Sequence, residues 1–359
     1  MDNYYALIMA GGGGTRLWPL SRKNRPKQML PLVSNESMFR VSVMRLVPLF
    51  PLERIFVVTG ANQVEDLKAD VPELAAENFI IEPFGQDSGP AAGLGVAHLQ
   101  SLDPEAVVAI LTADHYIQNV EGFRNALAAA YEVAMQDYIV TLGINPTYAA
   151  TGFGYIQRDG ELATVHGFDT YHSAGFKEKP DEVTAQHFYQ SGLYAWNSGM
   201  FIWKSSRAME AFEYYAPQIH QNLVKIQQQF GKENYLQTIS EAWKDMPKIS
   251  IDFAVMEKAE KVAMIPINIG WNDVGSWAAV HEILASDVTD NVDLGTKEHI
   301  NIDSKGTLVH SNRLVVTIGL DDLVVIDTDD VLLICPRDRA QDVRSVTQKL
   351  KDKGLDSLL

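Results

Sequence analysis

Short runs that are apolar throughout recur along the first part of the chain: Tyr4 to Ala10, Ile55 to Thr59, Phe79 to Ile81, Ala106 to Leu111 and Ile139 to Ile144. Strands exposed on one face alternate apolar and polar positions, whereas continuous apolar runs belong to strands buried on both faces. Helical patterns lie between them. The clearest is Phe123, Ala126, Leu127, Ala130, Tyr131 and Ala134, which follows the i, i+3, i+4, i+7 spacing of one helix face. Alternation of this kind predicts an α/β fold with a mainly parallel sheet covered by helices, and such sheets bind ligands beyond the carboxyl ends of their strands.

From about Asp287 the texture changes. Short apolar runs at His299 to Asp303, Thr307 to His310, Leu314 to Gly319, Leu323 to Asp327 and Val331 to Cys335 are separated by turn residues such as Asp321-Asp322 and Asp329-Asp330. The spacing of Val343, Val346 and Leu350 predicts a closing helix. A boundary near residue 287 therefore divides a large domain, 1–286, from a β-rich domain, 287–359. No repeat of about 20 to 50 residues is visible, although the tail has room for a few shorter coils.

Composition narrows the function classes. The 359 residues carry a formal charge of −16, which repels the phosphate backbone of nucleic acids and makes them poor partners. A single cysteine, Cys335, forms no internal disulfide and no thiolate metal cluster, in keeping with a reducing cytoplasm. The first apolar run is short, lacks a basic leader and runs directly into glycines, unlike a secretory signal. No uninterrupted apolar stretch reaches the roughly 18 residues of a membrane span.

The first strand leads into Gly11, Gly12, Gly13, Gly14, Thr15 and Arg16, where bare backbone N–H groups can approach phosphate oxygens closely. A Walker loop needs Gly-Lys where Arg16-Leu17 stands, and a dinucleotide fingerprint needs glycine at 16 or 17. Both registers fail. What remains is a glycine loop followed by two cations, Arg16 and Lys27, that can meet one polyphosphate.

The run Ala10-Gly-Gly-Gly-Gly-Thr-Arg-Leu-Trp-Pro-Leu-Ser-Arg22, followed by Pro26-Lys27-Gln28, resembles the signature of sugar-1-phosphate nucleotidyltransferases. Its Leu-Trp-Pro-Leu-Ser wording resembles the mannose-1-phosphate guanylyltransferase branch. Further segments resemble that family in the expected order: Glu82-Pro83, Ala113-Asp114-His115, Thr151 to Ile156, Phe176 to Pro180, Trp196 to Phe201, Ser250 to Lys258 and Trp271 to Trp277. The resemblance spans essentially the whole chain. It implies a Rossmann-like mixed, mostly parallel sheet with a small β-helix-like C-terminal domain, and transfer of GMP from GTP to α-mannose 1-phosphate. Substitution between two anions needs charge neutralisation and positioning, not a nucleophilic side chain.

By the same resemblance, Gly11, Gly12, Gly14, Thr15, Glu82, Asp87 and Ser88 bind the nucleotide, and Arg16 and Lys27 meet the triphosphate. Lys179 holds the attacking sugar phosphate, while Gly154, Glu178 and Asn197 meet sugar hydroxyls. Asp114 and Asp273 are the expected ligands of a Mg²⁺ cofactor. Read without the family, Asp114 is a turn or helix cap and Glu178-Lys179 a solvated charge pair. His115, beside a metal carboxylate, is left outside the catalytic set.

One departure concerns the base. Where the family shows Asn-Thr-Ala-Pro-Ala, this chain reads Asp87-Ser88-Gly89-Pro90-Ala91. Asp87 can accept from a guanine N1–H and 2-amino group but cannot donate to O6. Alternative readings are transfer to another sugar or heptose 1-phosphate, and a noncatalytic nucleotide-sugar-binding regulator, although the cations and metal carboxylates are all present. The residues after 287 are too few for an appended isomerase domain, so a monofunctional enzyme is expected, with the tail supporting a homodimer.

Overall fold

The structure is a computed structural model that describes every residue except Gly13 and Gly14. In chain order the strands up to Asn272 are β1 (Tyr4–Met9), β2 (Ile55–Gly60), β3 (Phe79–Glu82), β4 (Val107–Thr112), the two-residue β5 (Tyr116–Ile117), β6 (Ile139–Ile144), β7 (Tyr155–Val165), β8 (Phe168–Lys177), β9 (Tyr194–Lys204), β10 (Val262–Ile267) and the two-residue β11 (Trp271–Asn272). All but β5 and β11 form one nine-stranded sheet in the order β3, β2, β1, β4, β9, β6, β10, β8, β7. Each of the five continuous apolar runs is a strand of this sheet. β1, β2, β3 and β4 pair in parallel, as do β6 and β10, while β9 enters antiparallel between β4 and β6. The sheet is thus mixed and mostly parallel. The predicted helix face belongs to the helix Val120–Ala134, with Phe123, Ala126, Leu127 and Ala130 buried.

The chain packs as two compact units built from interleaved segments. The first holds Met1–Gly11, Val43–Ala113 and Ile117–Trp271; the second holds Gly12–Ser42, Asp114–Tyr116 and Asn272–Leu359. The position near residue 287, where composition changes, lies inside the second unit. Its core explains why: Leu17, Trp18, Leu30, Leu32 and Met38 bury their side chains with Val274, Trp277 and Val280 and with Val292, Leu308, Val324 and Ile326 of the tail.

The tail contains β12 (Val292–Asp293), β13 (His299–Ile302), β14 (Leu308–His310), β15 (Val315–Ile318), β16 (Leu323–Asp327) and β17 (Leu332–Pro336). β12, β14 and β16 stack in parallel with Val292, Leu308 and Val324 in register, a step of 16 residues (308 − 292 and 324 − 308). β13 and β15 repeat the same step, His299 opposite Val315. These are coils of a β-helix, closed by the antiparallel strand β17. The period is shorter than that of solenoid families, so it escapes a search for longer repeats. The helix Val343–Asp352 follows.

Candidate active site

In the first unit, strand register collects the residues expected to meet the sugar. β7 pairs antiparallel with both β8 and β9, Tyr155 lying opposite Lys177 and opposite Trp196. One step further along each strand places Gly154 beside both Glu178 and Asn197. The Asn197 N–H donates to the Gly154 carbonyl at 2.8 Å. A Cβ on Gly154 would collide with Glu178 Oε2, and it would lie 3.2 Å from the Asn197 Cβ. Any larger residue here would have to displace the Glu178 carboxylate, which occupies the space a side chain would need.

Glu178 is held firmly. Its side chain is only 8% exposed, its Oε1 accepts from Lys179 Nζ, and its backbone N–H donates to Glu257 Oε1 at 3.1 Å. Its Oε2 is buried without a partner among the described residues. Lys179, with φ of +46° and an exposed side chain, projects its ammonium from the same turn. Asn197 donates from Nδ2 to Asp252 Oδ1 at 2.9 Å and accepts at Oδ1 from the Gly199 N–H at 3.0 Å, which fixes its amide. Burial, reinforced by the charge of Glu178, pushes the Asp252 carboxyl up to about 6. Next to Asn197, the Trp196 ring packs edge-on with Tyr148 and Phe153, and its buried Nε1 has no partner among the described residues.

Also in the first unit, Glu82 ends β3. Burial pushes its carboxyl up to about 7 against the opposing backbone N–H of Gln86, and its Oε2 is buried without a partner among the described residues. A Cβ on Gly11 would lie 3.8 Å from Glu82 Oε1, so the first glycine of the loop and this carboxyl are neighbours. Asp87 and Ser88 serve the start of the helix Ser88–Leu102. Asp87 Oδ1 accepts from the Ser88 N–H at 2.8 Å, and Ser88 Oγ accepts from the Ile251 N–H at 3.0 Å. The Asp87 that replaces the family's amide thus acts as an N-cap, at a φ of +72°.

The second unit gathers the cations and the two expected metal carboxylates. Lys27 is 4% exposed, and its ammonium donates to Asp114 Oδ2 at 2.9 Å and to the Asp273 carbonyl at 2.5 Å. Arg16 Nη1 lies 3.5 Å from Asp273 Oδ2. Burial alone would raise the Asp114 carboxyl, but Lys27, His115 and Arg16 outweigh it and hold the group below the ordinary aspartate value. Asp273 Oδ1 accepts from the Gly275 N–H at 3.0 Å. A Cβ on Gly275 would sit 2.6 Å from Asp273 Oδ2 and 2.9 Å from Arg16 Nη1, so a side chain here would push both groups from their places. The exposed Thr15 opens the turn that carries Arg16, and Gly12 takes a φ of +95°. Gly14 lies outside the described residues.

Two clusters emerge. Gly154, Glu178, Lys179 and Asn197 meet in the first unit, where Gly11 also lies beside Glu82. Arg16, Lys27, Asp114 and Asp273 meet in the second. Asp252 and Glu257 were not singled out as site residues, although both stand in the Ser250 to Lys258 segment. Their part depends on hydrogen bonds that only the folded chain reveals.

A nucleotidyl transferase family profile matches residues 5–290. The chain belongs to the nucleotidyl transferase family. A second profile, for the MannoseP isomerase/GMP-like β-helix domain, matches residues 297–350 of this nucleotidyl transferase, over the parallel coils. It is 37% identical to the mannose-1-phosphate guanylyltransferase of Salmonella muenchen over 98% of its length and 74% of that protein's. It is 36% identical to the alginate biosynthesis protein AlgA of Pseudomonas aeruginosa over 97% of its length and 72% of that protein's. Among solved structures, the Thermus thermophilus protein described as mannose-1-phosphate geranyltransferase superposes with a TM-score of 0.87 at 36% identity, covering 97% of this chain and 99% of that one.

Proposed function

We propose that the chain transfers GMP from GTP to α-D-mannose 1-phosphate, giving GDP-mannose and pyrophosphate. Support for the substrates comes from the near full-length similarity to a mannose-1-phosphate guanylyltransferase. The observation that carries the chemistry is the buried Lys27 ammonium, which holds Asp114 and the Asp273 backbone beside Arg16. Two carboxylates and two cations in one cluster suit a polyphosphate that must be neutralised and aligned.

In the proposed reaction an oxygen of the sugar phosphate forms a bond to the α-phosphorus of GTP. The bond from that phosphorus to its bridging oxygen breaks, and the electron pair leaves with pyrophosphate. The attacking phosphate is already an anion, so no side chain has to remove a proton. Arg16 and Lys27 meet the charge that builds on the leaving group, and Lys179 orients the attacking phosphate. Glu178 and Asn197 receive sugar hydroxyls beside the Gly154 backbone. Gly11, Gly12, Gly14 and Thr15 are assigned to the phosphates, and Glu82, Asp87 and Ser88 to the base.

Asp114 and Asp273 are hard oxygen donors of the kind Mg²⁺ prefers, and Lys27 holds the Asp114 carboxylate and the Asp273 backbone together, so the chemistry of the pair suits that ion. When bound there, Mg²⁺ supplies charge neutralisation to the triphosphate.

Residues 1–286 would carry the catalysis and 287–359 the association of a homodimer. On the paired strands β13 and β15, Ile300 stands opposite Val316 and Ile302 opposite Ile318, all exposed on one face. A cytoplasmic setting suits the nucleotide substrates and the lone Cys335. Changing Val316 and Ile318 to glutamate should shift sedimentation to that of a single chain, and unaltered sedimentation of a dimer would refute the assignment of this face. For the reaction itself, pyrophosphate release is measured while GTP, ATP, dTTP and UTP are crossed with mannose, glucose, fucose and heptose 1-phosphates. Release chiefly from GTP with mannose 1-phosphate is expected. Release with another pair would move the specificity, and no release would favour a regulatory binder.

A further inference from the structure

Trp18 and Arg22 stand in the signature segment, yet neither belongs to the cation cluster. Their contacts run elsewhere within the second unit. Trp18 Nε1 donates to the Leu358 carbonyl at 2.7 Å, and Arg22 Nη1 donates to the same oxygen. Arg22 Nη2 donates to Asp330 Oδ1 at 2.8 Å, in the turn joining β16 to β17, and that carboxylate also accepts from Thr328 Oγ1 at 2.9 Å. Arg22 Nε returns to the Pro19 carbonyl at 2.7 Å, which closes the turn on itself. The Trp18 carbonyl accepts from the buried Trp277 Nε1 at 3.0 Å.

The segment is therefore fastened at three places: the terminal turn Asp356–Leu358, the last hairpin of the β-helix, and the helix that begins at Trp277. Trp277 follows Asp273 by four residues and Trp18 follows Arg16 by two, so the Trp277 hydrogen bond staples together the segments that carry Arg16 and Asp273. Arg16 itself is weakly held. Its side chain is 38% exposed, and the ion pair it makes among the described residues is long at 3.5 Å. A side chain with so little contact of its own takes its position from the backbone beneath it, and a partly exposed pair of that length holds little by itself.

We infer that the Asp356–Leu358 turn and the β16–β17 hairpin brace the Trp18–Arg22 segment, making Trp18 and Arg22 positioning residues for Arg16. The inference rests on the reading of Arg16 as a triphosphate contact. It gives the tail a part in catalysis distinct from association.

The test compares the intact protein with Arg22→Gln, Trp18→Phe, a chain ending at Gly354, and Arg16→Ala as a reference, recording KM for each substrate and the melting temperature. Losing one brace should raise KM for GTP by about five- to tenfold, the factor that corresponds to one hydrogen bond. KM for mannose 1-phosphate should stay unchanged, and Arg22→Lys should recover part of the loss. The truncated chain keeps the proposal testable if the tryptophan substitution disturbs the core. An effect of Arg16→Ala on KM for GTP, with none from Arg22→Gln or truncation, would overturn the brace alone. The brace is equally overturned if both KM values stay fixed while only kcat and melting temperature fall. If Arg16→Ala leaves the kinetics unaltered, the reading of Arg16 itself fails.

Discussion

Replacing Asp252 with asparagine should make the protein more stable at alkaline pH and leave its stability unchanged in acid. Burial and the neighbouring Glu178 raise this carboxyl from an ordinary 3.8 to about 6. Each pH unit of that displacement is worth about 1.4 kcal/mol, so the ionised form costs the folded state about 3 kcal/mol. The folded pKa lies above the unfolded one, which sets the direction. Below about pH 4 the carboxyl is protonated in both states and costs nothing; the penalty grows between about pH 4 and 6 and is complete above. Asp252→Asn removes that penalty while keeping an oxygen to accept from Asn197 Nδ2. Denaturant titrations of both proteins at several pH values measure the difference. The variant should gain up to about 3 kcal/mol at pH 8 and next to nothing at about pH 3. A difference independent of pH would refute the assignment of a buried, electrostatically strained carboxyl.

Gly154→Ala forces the Glu178 carboxylate out of its place, and losing one charged hydrogen bond to the sugar should lower kcat/KM for the sugar phosphate by about 10- to 100-fold. KM for GTP should hold, and an equal rise in both KM values would contradict the division of roles. Gly275→Ala puts a methyl group against Asp273 and Arg16, so the Mg²⁺ concentration giving half-maximal rate should rise by about tenfold or more. Magnesium titration of the rate checks this, and an unchanged midpoint would count against Asp273 as a ligand.

Much of the sheet was legible because β1, β2, β4 and β6 are largely buried on both faces and leave continuous apolar runs, as does the edge strand β3 although its Ile81 is exposed. β7 and β8 left no such run: in β7 the half-exposed Arg158 and the exposed Asp159 and Glu161 break the pattern. The interleaving of the units was hidden for a different reason. Leu17, Trp18, Leu30 and Leu32 lie in short turns without periodicity, and only tertiary packing reveals that they share a core with Val324 and Ile326. Residue identities at the site were carried by the signature segments, but their juxtaposition follows from register, as at Gly154 between Glu178 and Asn197. At Asp87 the sequence carried the carboxylate chemistry but not the local role: one of its oxygens accepts from the Ser88 N–H and caps the helix.

The central claim is nucleotidyl transfer to a sugar phosphate, and phosphorus NMR of the protein with GTP, mannose 1-phosphate and Mg²⁺ tests it most directly. GDP-mannose and pyrophosphate should appear in equal amounts as both substrates disappear. Formation of GDP and inorganic phosphate, or unchanged spectra with both substrates present, would contradict the account.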